Sequence, residues 1–402
     1  MRPAQRNWEM AAAGERRYMP KRKDKVVRHV EQRGEYRAML ALARLGLGNS
    51  TPDEALAEVA PGTEWGEVAR IALDHRLTAV TWDGIVALEN GGGLTGERAI
   101  PQDIRDRWLV RTAQYFELEF ERYEDALFHL ARFYNKNGIR MMVLKGYGLA
   151  LSYPVAAHRP TGDIDIWLFG EQQRGDDLLR EQKNKHIDTS RHHHTGFNIG
   201  KYPVENHYDF LNIHSHRINR KIDLKLKELA PIAPLRIEIQ GAEAYLPSAD
   251  FNSIFLLHHT AKHFASAEIH MRHLADWGTF IRRRGSEVDW ARMLPLIKEF
   301  SLCPLLACFN EICIRHLGFE RSLFPTLEVD EELLQRITDD ILEPEFSEAE
   351  PDGGPIARYT YRIKRWRAHG WKQRLVFPDS PLREFFTLAA SHLRTPEADR
   401  RP

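Results

Sequence analysis

Apolar positions along the chain follow two rhythms. From Glu35 to Asn137, and again from Pro247 to Phe319, they recur every three or four residues, the spacing of amphipathic helices. Between those stretches they alternate with polar residues, the spacing of strands. The clearest alternation is Asp163-Ile164-Asp165-Ile166, which follows the apolar run Met141-Met142-Val143-Leu144 after one helix-length segment. A second runs through Val204, Asn206, Tyr208 and Phe210, with Glu205, His207 and Asp209 on the opposite face. Strands are therefore expected at residues 141–144, 163–169 and 204–210. Thr51-Pro52-Asp53-Glu54 reads as a helix start, Asn90-Gly91-Gly92-Gly93 as a break, and residues 101–137 as one long helix ended by Asn137-Gly138. Glu171 to Lys185 is expected to be helical, residues 344–355 a loop, and residues 359–374 a basic, aromatic, amphipathic helix. No repeat of 20 to 50 residues is present.

The fold class that follows is α+β. A small mixed-sheet core, residues 138–246, lies between an N-terminal helical region, 34–137, and a C-terminal helical region, 247–402. A basic tail, residues 1–33 with Arg16-Arg17 and Lys21-Arg22-Lys23, is expected to be disordered.

Candidate chemistry concentrates at the alternating acids. Residues two apart in a strand share a face, so Asp163 and Asp165 are expected to project together. Two adjacent carboxylates repel unless a cation lies between them, and oxygen ligands suit Mg²⁺, with Mn²⁺ as a substitute. Gly162 marks a turn into the strand, and Lys145-Gly146 after the first strand suits phosphate. The charged face of the 204–210 alternation offers Glu205 as a third carboxylate; Asp223 and Glu238, in alternating runs of their own, compete with it. The histidine-dense stretch His186 to His194 reads as a polar strand or loop ahead of a zinc site, because consecutive strand histidines face alternate sides and cannot all bind one metal without distortion. Phe255, His259, Lys262 and His263 fall on one helical face, from which Lys262 could reach a triphosphate; Arg272 and Asp276, one turn apart, read as an ion pair.

Charge narrows the classes. Lys+Arg and Asp+Glu are equal at 57 each, so no net field draws in nucleic acid or membrane. Cys303, Cys308 and Cys313 lack zinc or disulfide spacing, and there is neither an 18-residue apolar run nor an apolar leader, so a cytoplasmic protein is expected. The segment 359–374 could contact RNA.

Lys145-Gly146, Arg159 and Gly162-Asp163-Ile164-Asp165 together resemble the signature of the uncharacterised nucleotidyltransferase family within the DNA polymerase β superfamily. Glu205-Asn206-His207-Tyr208 resembles the family's Glu-x-His-aromatic strand, and Leu256 to His263 and Arg272 to Asp276 its later helices. Where the wider superfamily has Gly-Ser after the first strand, this chain has Lys145-Gly146. The resemblance implies transfer of an NMP from an NTP to an acceptor that is a small molecule, a protein or an RNA. It implies Asp163, Asp165 and Glu205 as metal-binding catalytic residues and favours Glu205 over its competitors. Lys145, Gly146, Arg159, Thr161, Gly162 and Lys262 would then contact or frame the nucleotide. A catalytically inactive nucleotide- or RNA-binding relative is the alternative.

Overall fold

A computed structural model of the chain describes residues 28–266, 268–348, 351 and 354–377. Six short strands form one mixed sheet: β1 (Met142–Val143), β2 (Ile164–Trp167), β3 (His194–Ile199), β4 (Tyr202–His207), β5 (Leu235–Ile239) and β6 (Ala242–Leu246). Their spatial order is β3-β4-β2-β1-β6-β5. β2 pairs parallel with β4 and antiparallel with β1, and β1 runs parallel to β6. The antiparallel pairs β3/β4 and β5/β6 complete the two edges.

Strand alternation sorts the central residues between two cores. Met141, Val143, Ile164, Ile166, Leu168 and Val204 pack in one core with Leu127, Leu130 and Tyr134 of the helix Leu118–Lys136. Met142, Leu144 and Trp167 belong to the other, which they share with the helices Arg217–Leu229 and Ala249–Ser266. Ile164 and Ile166 are fully buried, and burying an isoleucine side chain contributes about 1.5–3 kcal/mol. Anchoring them on the first face commits Asp165 to the second, facing the C-terminal helices.

Those helices do not form a separate unit. The helices Gly34–Gly46, Thr78–Asn90, Cys303–Leu317 and Glu331–Leu342 all feed the same large core. The end of the N-terminal helical region, Leu118–Lys136, packs instead on the sheet. The sequence boundary at 137/138 thus falls inside one packed layer. The expected long helix runs from Gln102 to Lys136 with a π-helical stretch at Thr112–Glu117, and Gly138 follows it at φ 68°.

Several expectations are corrected. Of the tail expected to be disordered over residues 1–33, residues 28–33 are ordered: Val30 is buried, and the backbone N–H groups of Arg28 and Val30 donate to Asp339 at 2.6 and 2.9 Å. Residues 1–27 lie outside the described residues. Residues 221–226 are helical, within Arg217–Leu229, because Ile222, Leu226 and Leu229 bury one helical stripe; the alternation there was incidental. Of the loop at 344–355, residues 344–348, 351 and 354 are irregular, the helix Pro355–Val376 begins at 355, and the rest lie outside the described residues. Trp371 and Lys372 of that helix turn inward, Lys372 pairing with the buried Asp340. Among the described residues no helix is long and apolar enough to cross a membrane.

Candidate active site

The parallel pairing of β2 and β4 sets Asp165 directly opposite Glu205 and Trp167 opposite His207. Glu205 and His207 therefore share the face that Asp165 was committed to. Ligand atoms of Asp165, Glu205 and His207 all lie within 4.8 Å of one another, a group able to hold a metal ion. Asp165 Oδ1 accepts from Lys145 Nζ at 2.9 Å and from His207 Nε2 at 3.1 Å, and Glu205 Oε2 is 3.6 Å from the same imidazole nitrogen. Lys145 arrives from the end of β1, the strand paired with β2.

Opposing charges set the protonation states. Burial works against the Lys145 ammonium, but Asp165, Asp163 and Glu205 outweigh it and raise its pKa. Burial would raise Asp165; Lys145 and His207 reverse this and hold the carboxyl well below its usual range. Glu205 is likewise lowered, the hydrogen bond from His207 overcoming burial. Burial disfavours charged His207, yet its bonds to Asp165 and Glu205 push it up to about 9. Asp163 differs: although the residue is exposed overall, the crowded surroundings of its carboxylate and the negative Asp165 raise its pKa.

Asp163 precedes β2, is exposed, and is not part of the tight group of Asp165, Glu205 and His207. It stands at the mouth, close enough for Asp165 and Lys145 to shift its titration. Asp223 and Glu238 lie elsewhere. Asp223 Oδ1 accepts from the backbone N–H groups of Phe210 and Leu211 at 2.7 and 3.1 Å. Glu238 is exposed on β5 at the far edge, opposite Glu243.

The flanking residues divide. Lys262, on the helix Ala249–Ser266, faces the site: burial and then Lys145 lower its pKa, while Glu205 and Asp165 pull it up. Arg159 turns away. Its Nε and Nη2 donate to Asp276 at 2.8 and 3.1 Å, and Tyr153 Oη and Arg272 Nη1 donate to the same carboxylate at 2.7 and 2.9 Å. A guanidinium occupied in this way positions the loop before β2 and is not presented to a phosphate. Gly146 has φ +37°, and a Cβ there would lie 2.5 Å from the hydroxyl of Tyr123. That hydroxyl donates to the Asp163 carbonyl at 3.2 Å. Gly162 needs no special conformation and a Cβ there would meet nothing within 4 Å; Thr161 beside it is half-buried.

His207, His193 and His194 were not among the expected site residues. For His207 the signal was present, since alternation put it on the Glu205 face. For His193 the signal was misleading: it lies before β3, in a bend, so it is not bound by strand alternation. Its ring approaches those of His194 and His207, with a nitrogen of each within 4.8 Å.

The mixed sheet, with an acidic group and a lysine on one face and helices packed around it, is consistent with an α+β nucleotidyltransferase fold. The chain belongs to the family described as uncharacterised nucleotidyltransferase, which matches over residues 61–318, and so is a transferase of phosphorus-containing groups. Among curated proteins and among solved structures, nothing matches the chain.

Proposed function

We propose that the protein transfers an NMP from an NTP to an acceptor hydroxyl, using Asp165, Glu205 and Asp163 with a divalent cation, Mg²⁺ or Mn²⁺. The observation that carries this reading is the register of β2 against β4, with Asp165 opposite Glu205 and both beside Lys145 and His207. The donor set fits such an ion: Asp165 and Glu205 offer ionised oxygens near neutral pH, and Asp163 at the mouth offers another. When bound, the cation would supply Lewis-acid polarisation of the α-phosphate and lower the acceptor's pKa.

The chain's own residues do the rest. Lys145 and Lys262 offer positive charge to the triphosphate, whose oxygens gain charge as the reaction proceeds. Glu205, ionised and half-buried, takes the acceptor's proton. The acceptor oxygen then bonds to the α-phosphorus, the bond from that phosphorus to the bridging oxygen breaks, and pyrophosphate leaves. His207 Nε2, 3.1 Å from Asp165 Oδ1 and 3.6 Å from Glu205 Oε2, steadies the two carboxylates side by side. Arg159, through Asp276, fixes the loop that carries Asp163.

The test is incubation with labelled NTPs, Mg²⁺ and a cell extract, followed by location of the label. Asp165→Asn and Glu205→Gln are each expected to lower labelling by roughly 100-fold or more with the thermal melt retained. Labelling that survives both substitutions would remove this site from the reaction.

A further inference from the structure

The antiparallel register of β3 and β4 pairs His194 with His207. His193, in the bend just before β3, brings a third imidazole to the same point. Ring centroids are 4.4 Å apart for His193 and His194, 5.3 Å for His194 and His207, and 5.7 Å for His193 and His207. Nδ1 of His207 donates to the Asp209 carbonyl at 3.1 Å, which leaves Nε2, 3.1 Å from Asp165 Oδ1 and 3.6 Å from Glu205 Oε2, as the nitrogen a metal would take by displacing its proton. Glu205 Oε1 lies 3.4 Å from His194 Nε2.

A second observation points to a ligand. His194 is only 6% exposed, and its Nδ1 and that of His193 are buried with no hydrogen-bond partner. An unpartnered buried polar atom costs about 1–3 kcal/mol, a penalty that coordination through those two Nδ1 atoms would remove. Imidazole suits Zn²⁺ and Co²⁺, whereas Mg²⁺ prefers oxygen. Three imidazoles and a carboxylate make a complete tetrahedral zinc set with bonds of about 2.0–2.3 Å. The ligand nitrogens of the three histidines lie within 4.8 Å of one another, and binding would draw them together.

We propose that His193, His194 and His207 form a nitrogen-rich cation site of Zn²⁺ class, with Glu205 as the fourth ligand shared with the carboxylate group. The protein then carries two chemically different cation preferences side by side, oxygen donors at Asp165 and Asp163 and nitrogen donors toward β3. Glu205 couples them, so an ion on the nitrogen side fixes one of the carboxylates used for nucleotidyl transfer. The nitrogen site stands on its own geometry and does not require the transfer reaction.

The experiment is titration of the metal-stripped full-length protein with Co²⁺, read by its visible ligand-field absorption, with Zn²⁺ and Mg²⁺ as competitors. One equivalent is expected to give an intense tetrahedral spectrum that Zn²⁺ abolishes and millimolar Mg²⁺ does not. The double variant His193→Gln, His194→Gln is expected to lose roughly 100-fold or more in Co²⁺ affinity while its thermal melt and Mg·ATP binding stay near wild type. Weak, octahedral-type Co²⁺ absorption in the wild type, displacement by Mg²⁺, or equal Co²⁺ affinity in the double variant would each overturn the site. Loss of the fold in the double variant is met by His193→Gln alone, which changes a half-buried bend residue and must still weaken Co²⁺. Absent Mg·ATP binding with tight Co²⁺ binding would sink the nucleotidyl-transfer reading and leave this one standing.

Discussion

At the scale of single residues, charge compensation on the Asp165 face makes a pH prediction. His207 titrates near 6.5 when unfolded and is pushed up to about 9 in the fold. Its contribution to stability is therefore complete below pH 6.5 and is lost as the pH rises through 9. Asp165 acts in the opposite direction: its depressed pKa gives stability present above the usual carboxylate range and lost as the pH falls below it. In EDTA, the Tm of the wild type should fall from pH 6.5 to beyond 9 more steeply than that of His207→Gln. Parallel curves across that range would show that His207 is not held charged by the two acids. Arg159 and Lys145 make a contrasting pair. Arg159→Ala should cost about 2–3 kcal/mol, because it strips charged hydrogen bonds from the buried Asp276, and should leave the nucleotide Kd of the folded protein little changed. Lys145→Ala should weaken nucleotide binding. Denaturant melts and nucleotide titrations separate the two, and a raised Kd at unchanged stability for Arg159→Ala would return it to the phosphates.

At the scale of elements, the junction between β1 and the short helix Gly146–Ala150 is the most constrained. Gly146 combines a left-handed φ with Tyr123 packed where its side chain would grow. Gly146→Ala should destabilise by about 2–4 kcal/mol, the sum of left-handed strain and overpacking. Tyr123→Phe in the same chain should recover the overpacking share alone. No recovery, by urea denaturation, would mean that the backbone strain accounts for the whole cost. Strands β1, β2 and β4 were legible in the sequence because Val143, Ile164, Ile166 and Val204 bury one face, whereas β6 was not expected. Period-two alternation misled at residues 221–226, where a helical stripe happened to alternate, and at His193, where the strand had not yet begun. Asp165 opposite Glu205 follows from a strand register that no local pattern encodes. Arg159 looked like a phosphate ligand because its partner, Asp276, lies 117 residues away.

At the scale of the whole molecule, the helices before and after the sheet share one core, and the last described helix closes it. Pro355–Val376 lies on Ala249–Ser266, the helix that carries Lys262: Gln373 Nε2 donates to the Ala265 carbonyl at 2.9 Å, and the rings of Phe264 and Trp371 meet edge to face at 5.5 Å. Its composition, basic and aromatic, suggested an outward polyanion surface. The fold instead uses part of it inwardly, with Arg336 over the Trp371 ring at 4.1 Å and Lys372 paired with Asp340. Lys372 is 1% and Asp340 3% exposed. Removing one partner of such a pair strands a charge in a medium that cannot solvate it, at a cost of about 3–5 kcal/mol. Burial raises the pKa of Asp340, and Lys372 is the first opposing influence, so the lone carboxyl would gain a proton more readily. Lys372→Met should therefore destabilise strongly, and less so at acid pH, where the orphaned Asp340 is neutral. Lys372→Met with Asp340→Leu should regain most of the loss, because a matched apolar pair needs no solvation. Since this helix backs the one bearing Lys262, the single variant should also raise the nucleotide KM, and the double variant should restore it. Full stability in Lys372→Met would show that the ion pair does not hold the helix. A double variant no more stable than the single would show that the loss comes from packing of the lysine stem.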